Sequence, residues 1–229
     1  MSMNLANCRI IELSHPLYPG EEEYPYDVEN CPVDEMIPHY RGKVPPGQWY
    51  ILSKLQIWSH TGTHMESPWH YREDGGDVAS ISLHRTVGEC ALVDMQGKAV
   101  GEAISREELQ ARGAHIRVGD IVFVNTGYGH LYRTERSHDR PWFEPEAIRW
   151  LAEEMRIACL GVDCSGTEDR EQSGQPNHQL LFEHDIPLIE HLANLDQIRQ
   201  KRLFVVAVPL RLHRSDASPL AVIAFEPLP

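Results

Sequence analysis

The sequence predicts an α/β protein with a mixed sheet, folded as a single domain over residues 1–229. Segments with strand-like alternation outnumber segments with helical periodicity, and their order along the chain is irregular. No G-x-G-x-x-G turn is present, which argues against a doubly wound dinucleotide-binding sheet. No internal repeat, low-complexity tract or Gly/Ser linker divides the 229 residues, so one domain is the simplest interpretation.

The predicted strands are short segments of apolar or alternating residues. The full set is residues 8–13, 49–58, 90–95, 121–126, 158–162, 203–210 and 220–225. Three helices are predicted between them. Ser105 and Glu108 form the S-x-x-E pattern of a capping box, and Gly113 ends that helix. Pro145 begins a second helix in its first turn, and residues 178–183 form a shorter third one.

Residues 18–46 are rich in Pro, Glu and Tyr and show no period, so they are predicted to form an irregular arm. An arm of this length cannot build its own core. We therefore expect it to pack across a neighbouring copy of the chain in an obligate oligomer, where its larger apolar side chains become buried. These side chains are Tyr24, Tyr26, Met36 and Ile37.

Composition excludes several classes of partner. The formal net charge of −13 argues against a nucleic-acid or anionic-membrane surface, and no apolar run is long enough to span a bilayer. The first residues do not show the basic flank and apolar core of a secretory signal. The five cysteines include no close C-x-x-C pair, so a reducing cytosol is expected. Small molecules are the expected ligands.

One segment, HTGTHMESPWH at residues 60–70, concentrates the chemistry, with three histidines and a carboxylate in eleven positions. Gly62 and Pro68 argue against a continuous helix, so a tight turn must bring His60 and His64 together. His64 and Glu66 are two positions apart and face the same side of an extended segment. Imidazoles with a carboxylate are typical ligands of Zn²⁺ and similar divalent metals, which lower the pKa of a water toward about 7.

A second group lies far downstream, where His178 precedes an apolar run and Glu190 ends the short strand-like segment IPLIE. Each residue alone is more typical of a helix cap or a solvated face. They join the chemistry only if this segment folds against residues 60–70. Among the nearby aromatics, Trp58, Trp69 and Tyr71 are either ordinary core residues, the favoured reading, or a wall for a planar substrate.

The segment HTGTHMESPWH closely resembles the HxGTHxDxPxH signature of the metal-dependent cyclase family, which includes bacterial kynurenine formamidases and isatin hydrolases. Four further motifs occur in the family's order. ELSHPLYPG resembles its opening D-L-S-x-x-L-x-x-G, and GVDCSGTED resembles its G-x-D segment. NHQLLFEHDIPLIEHL resembles its H-x-x-L-L…I-P-I-I-E-N-L stretch, and VAVPLRL with SPLAVIA resembles its C-terminal pair. The resemblance therefore spans nearly the whole chain.

The resemblance implies a fold, a reaction and a set of roles. The fold is a compact α/β domain with mixed sheets around a barrel-like core and flanking helices, assembled as a homodimer or homotetramer. The reaction is hydrolysis of a formamide or cyclic amide of a small, aromatic substrate, with Zn²⁺ or Mn²⁺, one or two per chain. Its metal ligands correspond to His60, His64, Glu66, His178 and Glu190, and its acid/base group corresponds to His70.

Glu66 departs from this pattern, because the family signature has Asp there. An extra methylene moves the carboxylate by about an ångström or more, which is large against metal–oxygen tolerances of about ±0.2 Å. Either the backbone compensates, or the metal centre differs in number or identity. The acidic run from Glu21 to Glu23 is a second departure, in the arm that the resemblance implies shapes the substrate pocket.

Two other functions remain open from the residues alone. Two histidines and a carboxylate also form the iron face of non-haem Fe(II) oxygenases, although the close H-x-H pattern of cupin-like folds is missing. The change at Glu66 is also compatible with a catalytically altered binding protein that keeps the fold.

Overall fold

Twelve strands and four α-helices follow one another along residues 7–228, the part of the chain that this computed structural model describes. The strands are β1 Cys8–Glu12, β2 Tyr26–Pro32, β3 Ile51–Ile57, β4 His64–Glu66, β5 Val87–Asp94, β6 Ala103–Ile104, β7 Ile121–Asn125, β8 Trp142–Phe143, β9 Cys159–Val162, β10 Leu188–Glu190, β11 Arg202–Pro209 and β12 Ala217–Pro227. The helices are α1 Val33–Met36, α2 Arg106–Arg112, α3 Pro145–Arg149 and α4 Pro176–Glu183.

Seven strands close into a mixed barrel in the order β12, β11, β5, β7, β9, β10 and β4. The long strand β12 closes the ring, because residues 217–219 pair with β4 while residues 220–225 pair with β11. The pairs β5–β7, β7–β9 and β9–β10 are parallel, and the remaining barrel pairs are antiparallel. The predicted α/β class with mixed sheets around a barrel-like core is thereby confirmed.

Alternation along the barrel strands builds two cores. The inner core fills the barrel with side chains such as Met65, Phe123, Ile189 and Val205, all fully buried. The alternate residues of β5, β7, β9 and β10 point outward and pack against the helices in a second buried cluster. The site described below lies on this outer side, between the barrel wall and α4.

The helices begin at their predicted signals. Ser105 accepts a hydrogen bond from the Glu108 backbone, and the Glu108 side chain accepts one from the Ser105 backbone, so the capping box is present. The Pro145 helix continues as a π-helical turn over Trp150–Glu154, and α4 begins at Pro176, two residues before its predicted start. Within residues 7–228, no helix has the length and apolar character to cross a bilayer.

The arm is more regular than predicted, which corrects the expectation for residues 18–46. Strand β2 pairs antiparallel with β3 over seven residues, and the short helix α1 follows. The sequence hid this strand because its charged and polar residues lie on a two-stranded ribbon that is exposed on both faces, so no buried face imposes alternation. The extent of the single domain is still a prediction.

The barrel wall should tolerate no added volume at Gly161 in β9. A methyl group there would lie 2.6 Å from Phe123 Cδ1 and 2.8 Å from Leu192 Cδ1, and both side chains are fully buried. We expect Gly161→Ala to lower the free energy of unfolding by about 1–3 kcal/mol, measured by urea denaturation at fixed protein and metal concentration. Gly88→Ala in β5, where nothing lies within 4 Å, is the matched control. Equal stabilities of the two variants would contradict this account.

Candidate metal and acid/base site

Strands β4 and β10 lie side by side and present the candidate ligands on one face. His64 is paired with Glu190, and Met65 is paired with Ile189. Because Met65 and Ile189 fill the barrel, their neighbours in sequence face the outer side, where helix α4 supplies His178. His64, Glu66, Glu190 and His178 are all buried. The turn before β4 depends on Gly62, which has a φ of +67° and where a methyl group would overlap Leu17.

Glu66 is the centre of this group. Its Oε1 lies 3.0 Å from His60 Nδ1 and 3.5 Å from His64 Nε2, and its Oε2 lies 3.2 Å from His178 Nε2. Glu190 approaches from β10, with its two oxygens each 3.8 Å from an imidazole nitrogen of His64 or His178. The structure therefore brings all five residues that the sequence and the resemblance single out as metal ligands into one cluster.

Each of the three imidazoles is held by its other ring nitrogen. His60 Nε2 lies 2.8 Å from Asp216 Oδ2, and His178 Nδ1 lies 2.8 Å from Glu168 Oε1. His64 Nδ1 lies 2.8 Å from the carbonyl oxygen of Gly62 and so donates to it. A carboxylate or carbonyl partner on one nitrogen fixes the ring and directs the other nitrogen toward the centre, as at metal sites in general.

The cluster fits a divalent cation. Two overlapping sets, His60–His64–Glu66 and Glu66–His178–Glu190, each offer ligand atoms within 4.8 Å of one another, and both contain Glu66. Glu66 Oε2 is buried and accepts no well-formed hydrogen bond. A buried carboxylate oxygen that has an ion-pair contact but no well-aligned hydrogen bond is incompletely satisfied, which is costly. Nitrogen and oxygen donors in this number suit Zn²⁺ or Mn²⁺ better than a softer metal.

The charges of the cluster are strongly coupled. Burial opposes a charge on His60 and on His178, yet their carboxylate partners raise the pKa of each imidazole to about 10. Burial also works against ionised Glu66, but the neighbouring imidazoles hold its pKa well below the usual value. Burial, followed by the charge of Glu66, raises the pKa of Glu190. Protons therefore occupy this centre in the metal-free protein at neutral pH.

His70 lies beside the cluster in the 3₁₀ turn Pro68–His70, and Asp216 connects the two. Asp216 Oδ2 lies 3.0 Å from His70 Nδ1 as well as 2.8 Å from His60 Nε2. Hydrogen bonds with the two imidazoles hold the pKa of Asp216 well below its usual range. Asp216 was not identified from the sequence. The one available signal was its position, two residues before the SPLAVIA motif.

A cavity of about 620 Å³ opens onto these side chains. Tyr24 and Trp58 line it with ring centroids 6.4 Å apart, so Trp58 does form part of an aromatic wall. Trp69 and Tyr71 are not among its lining residues. Further polar lining comes from Glu23, His138, Arg140 and Ser165. The arm contributes to this wall because Glu23 Oε1 lies 2.6 Å from His138 Nε2.

Asp163 has a structural role and does not touch a ligand histidine. Its carboxylate accepts hydrogen bonds from the backbone of Thr126, Gly127 and Gly129, and one from the Thr126 hydroxyl. It therefore caps the turn that follows β7.

Comparison with known proteins agrees with the fold. The family model described as "Putative cyclase" matches residues 11–169, which is more than half of the chain and includes the segment from His60 to His70. The chain belongs to the cyclase family. The part of the chain beyond residue 169 carries His178, Glu190 and Asp216, which the fold brings next to the matched segment.

Individual relatives cover almost the whole cyclase chain. A kynurenine formamidase of Erythrobacter litoralis is 29% identical over 202 residues, which are 88% of this chain and 84% of the relative. Isatin hydrolase A of Ralstonia solanacearum superposes with a TM-score of 0.82 at 22% identity, covering 96% of this chain and 93% of its own. A structure described as a "potential metal-dependent hydrolase with cyclase activity" is 29% identical with a TM-score of 0.72, covering 97% and 100%.

Metal binding should release protons at pH 8, because the pKa values of His60 and His178 are raised to about 10. Below about pH 10 both imidazoles are protonated on both ring nitrogens, and each must lose one proton to bind a metal ion. We expect Asp216→Asn to release fewer protons, since the neutral amide no longer raises the pKa of His60. Calorimetric titration with Mn²⁺ in buffers of different ionisation enthalpy counts the protons. Equal release by the two proteins would show that Asp216 does not set the protonation of His60.

Proposed function

We propose that the chain hydrolyses an amide-type bond, a formamide or a lactam, in a small aromatic substrate with the help of a divalent metal. One observation carries this proposal: two sets of candidate ligands share Glu66. A hydrogen-bonded His70–Asp216 pair lies beside them, and the same cavity opens onto all of these residues. The printed names of relatives support the reaction class, since they are a kynurenine formamidase, an isatin hydrolase and a metal-dependent hydrolase.

The proposed ligands are His60, His64 and Glu66 for one ion, and Glu66, His178 and Glu190 for a second. Zn²⁺ or Mn²⁺, one or two per chain, suits these nitrogen and oxygen donors. When bound, the metal supplies Lewis acidity, which ionises a water near neutral pH and stabilises the negative charge that develops on a carbonyl oxygen. The chain's contribution is to fix the donors, because each imidazole is oriented by Asp216, Glu168 or the Gly62 carbonyl.

His70 is the proposed acid/base residue. Amide hydrolysis requires that the leaving nitrogen gain a proton, and an imidazole suits this transfer near neutral pH. Asp216 lies 3.0 Å from His70 Nδ1, which leaves Nε2 as the nitrogen that exchanges a proton with substrate. Phe182 packs edge-on against the His70 ring at 6.5 Å between centroids and restricts its rotation. Tyr24 and Trp58 offer aromatic surface for a planar substrate.

The alternative functions are not favoured. A non-haem Fe(II) oxygenase and a binding protein without activity both remain compatible with a histidine and carboxylate cluster, but the reported relatives are named as hydrolases or formamidases. The pairing of His70 with Asp216 also gives the site a proton-transfer group that a metal-binding module does not need.

A hydrolysis assay tests the proposed function directly. Formanilides, isatin-like lactams, imides and lactones should be compared by ultraviolet absorbance, before and after removal of metal by a chelator. We expect at least one amide to be hydrolysed, activity to disappear with the metal, and Zn²⁺ or Mn²⁺ to restore it. Turnover that persists in protein shown to be free of metal would overturn the metal-dependent reaction. Oxygen consumption coupled to turnover would favour the oxygenase.

Substitution of His70 should separate proton transfer from metal binding. We expect His70→Ala to keep its metal but to lose about two to four orders of magnitude in kcat, the usual range for a lost general acid/base. His64→Ala is the comparison and should lose metal as well, because His64 Nε2 faces Glu66 and Glu190. Metal analysis and kcat are measured on both variants. If His70→Ala also loses its metal, His70 is a ligand.

We also propose that the chain assembles as a homodimer or homotetramer in the cytosol. Large apolar side chains on the β2–β3 ribbon and beside it are exposed in the single chain, including Trp49 at 80%, Leu55 at 61% and Met36 at 54%. Several large exposed apolar side chains in one region of a chain are typical of an interface. A reducing compartment is supported by the odd number of cysteines, five, which include no close C-x-x-C pair.

The β2–β3 ribbon should determine the oligomeric state. We expect light scattering to show at least a dimer at micromolar concentration, and Leu55→Asp to shift the protein toward the monomer, because a carboxylate is costly in a buried apolar interface. Leu83→Asp, at a position 51% exposed in the turn before β5, is the matched control and should leave the mass unchanged. A fully active monomer of the unmodified chain would contradict this proposal.

A further inference from the structure

Arg140 is a buried cation in the wall of the substrate cavity. Arg140 is 8% exposed and lies two residues before strand β8. Its Nε donates to the Ser165 carbonyl oxygen at 2.9 Å, and its Nη1 donates to the carbonyl oxygens of Glu168 and Pro141. These bonds to backbone oxygens fix the plane of the guanidinium without neutralising its charge.

The remaining nitrogen of Arg140, Nη2, has no hydrogen-bond acceptor within residues 7–228, and no carboxylate in that range lies within 4.0 Å of the guanidinium. A charged group in a buried position is costly unless it is paired. The carboxylates that share the cavity wall have other partners: Glu23 bonds to His138, Glu168 to His178, and Asp216 to His60 and His70. Arg140 is the only Lys or Arg among the described residues that line this cavity.

Nη2 lies close to the proposed metal ligands. A methyl group built on Gly166 would be 3.5 Å from Arg140 Nη2 and 2.8 Å from Glu190 Oε1. Arg140 Nη2 and Glu190 Oε1 therefore approach the same backbone position, and a methyl group there would clash with Glu190. Gly166 has a φ of +103°, which an L side chain rarely adopts, so glycine suits this position for both reasons.

Glu190 and Glu66 do not serve as anionic partners of the Arg140 guanidinium. Both glutamates are proposed ligands of a divalent cation, and neither forms an ion pair with Arg140 within 4.0 Å. The guanidinium of Arg140 therefore keeps unused donors at the cavity wall. Its free N–H groups are donors for an oxygen anion, and guanidinium–carboxylate hydrogen bonds are short and strong.

We propose that Arg140 Nη2 binds a carboxylate of the substrate, so that the preferred substrates are aryl amides with a carboxylate close to the scissile bond. The proposal rests on the function proposed above, since it names the substrate class of the same site. Because Arg140 and the proposed ligand Glu190 line the same part of the cavity, this carboxylate is expected near the reacting carbonyl, as in 2-formamidobenzoate, where the two groups are on adjacent ring carbons. Formanilide is the matched substrate without the carboxylate.

Kinetics on this pair of substrates test the specificity. We expect the unmodified protein to prefer 2-formamidobenzoate to formanilide in kcat/KM. Arg140→Met should reduce this preference roughly 10- to 100-fold, the range for a lost charge-assisted hydrogen bond, mainly through KM. Arg136→Met is the control, because Arg136 is exposed and pairs with Asp139. An unchanged preference in Arg140→Met, or no preference in the unmodified protein, would overturn the proposal.

Binding of benzoate and of benzamide, titrated calorimetrically into metal-loaded protein, tests the anion site without turnover. We expect benzoate to bind more tightly, and this advantage to be lost in Arg140→Met but kept in Arg136→Met. If Arg140→Met does not fold, Arg140→Lys replaces it and should weaken benzoate at least about threefold, since lysine lacks the fixed fork. Equal binding of both probes, or a benzoate advantage independent of residue 140, contradicts the proposal.

The metal content and activity of each variant distinguish failure of the anion site from failure of the proposed reaction. If Arg140→Met loses metal, Arg140 acts by balancing the charge of Glu190, and the substrate-binding proposal is wrong. If the unmodified protein hydrolyses no amide but binds benzoate through Arg140, the proposed reaction fails while the anion site stands. If formanilide and 2-formamidobenzoate are hydrolysed equally well, the reaction stands and the anion site fails.

Discussion

The buried carboxylate of Glu66 is the interaction on which the site depends. Its two oxygens lie within 3.5 Å of nitrogens from three imidazoles, and one of the oxygens has no well-formed hydrogen bond. A cluster of this kind is costly to bury without a cation, because carboxylates and imidazoles lose hydration together. In the metal-free protein, protons on His60 and His178 supply the positive charge. Bound metal and bound protons are therefore two alternative sources of positive charge for the same buried anion.

The barrel explains why these groups meet. Strand β4 is only three residues long, yet it pairs with β10 on one side and β12 on the other, so its position is fixed from both edges. Met65 anchors the register, since it faces the filled interior of the barrel. A slip by one residue would turn His64 and Glu66 into the apolar core and Met65 onto the site. The hydrophobic core and the proposed metal site are specified by one alternation.

Sequence reasoning found the parts of the site that are dense in sequence or that match a family motif. His60, His64, Glu66 and His70 lie in one segment, and their order already indicated a turn followed by an extended stretch. Asp216 was missed because a single carboxylate has no pattern of its own. Its importance comes from the pairing of β12 with β4, which joins residues about 150 positions apart in the sequence.

The arm and the cavity wall show a second limit of the sequence. Alternation in β3 predicted a strand correctly, but its apolar residues are exposed in the single chain, because hydrophobic periodicity does not say whether a partner covers the face. Arg140 carried no signal at all. Its environment arises from backbone carbonyls and from the absence of a side chain at Gly166, and neither can be read from residue types.

We propose that Glu66, although one methylene longer than the family's Asp, holds the metal centre together. Titration of metal-free Glu66→Asp and of the unmodified protein with Zn²⁺ and Mn²⁺ tests this role. In the structure the glutamate reaches both His60 and His178, and a shorter side chain draws its oxygens away from them. We expect the affinity of Glu66→Asp to fall by about 10- to 100-fold, at least the effect of losing an outer partner of a ligand. Equal or tighter binding by the aspartate variant would contradict the account, because Glu66 would then be a drifted residue in a weakened site.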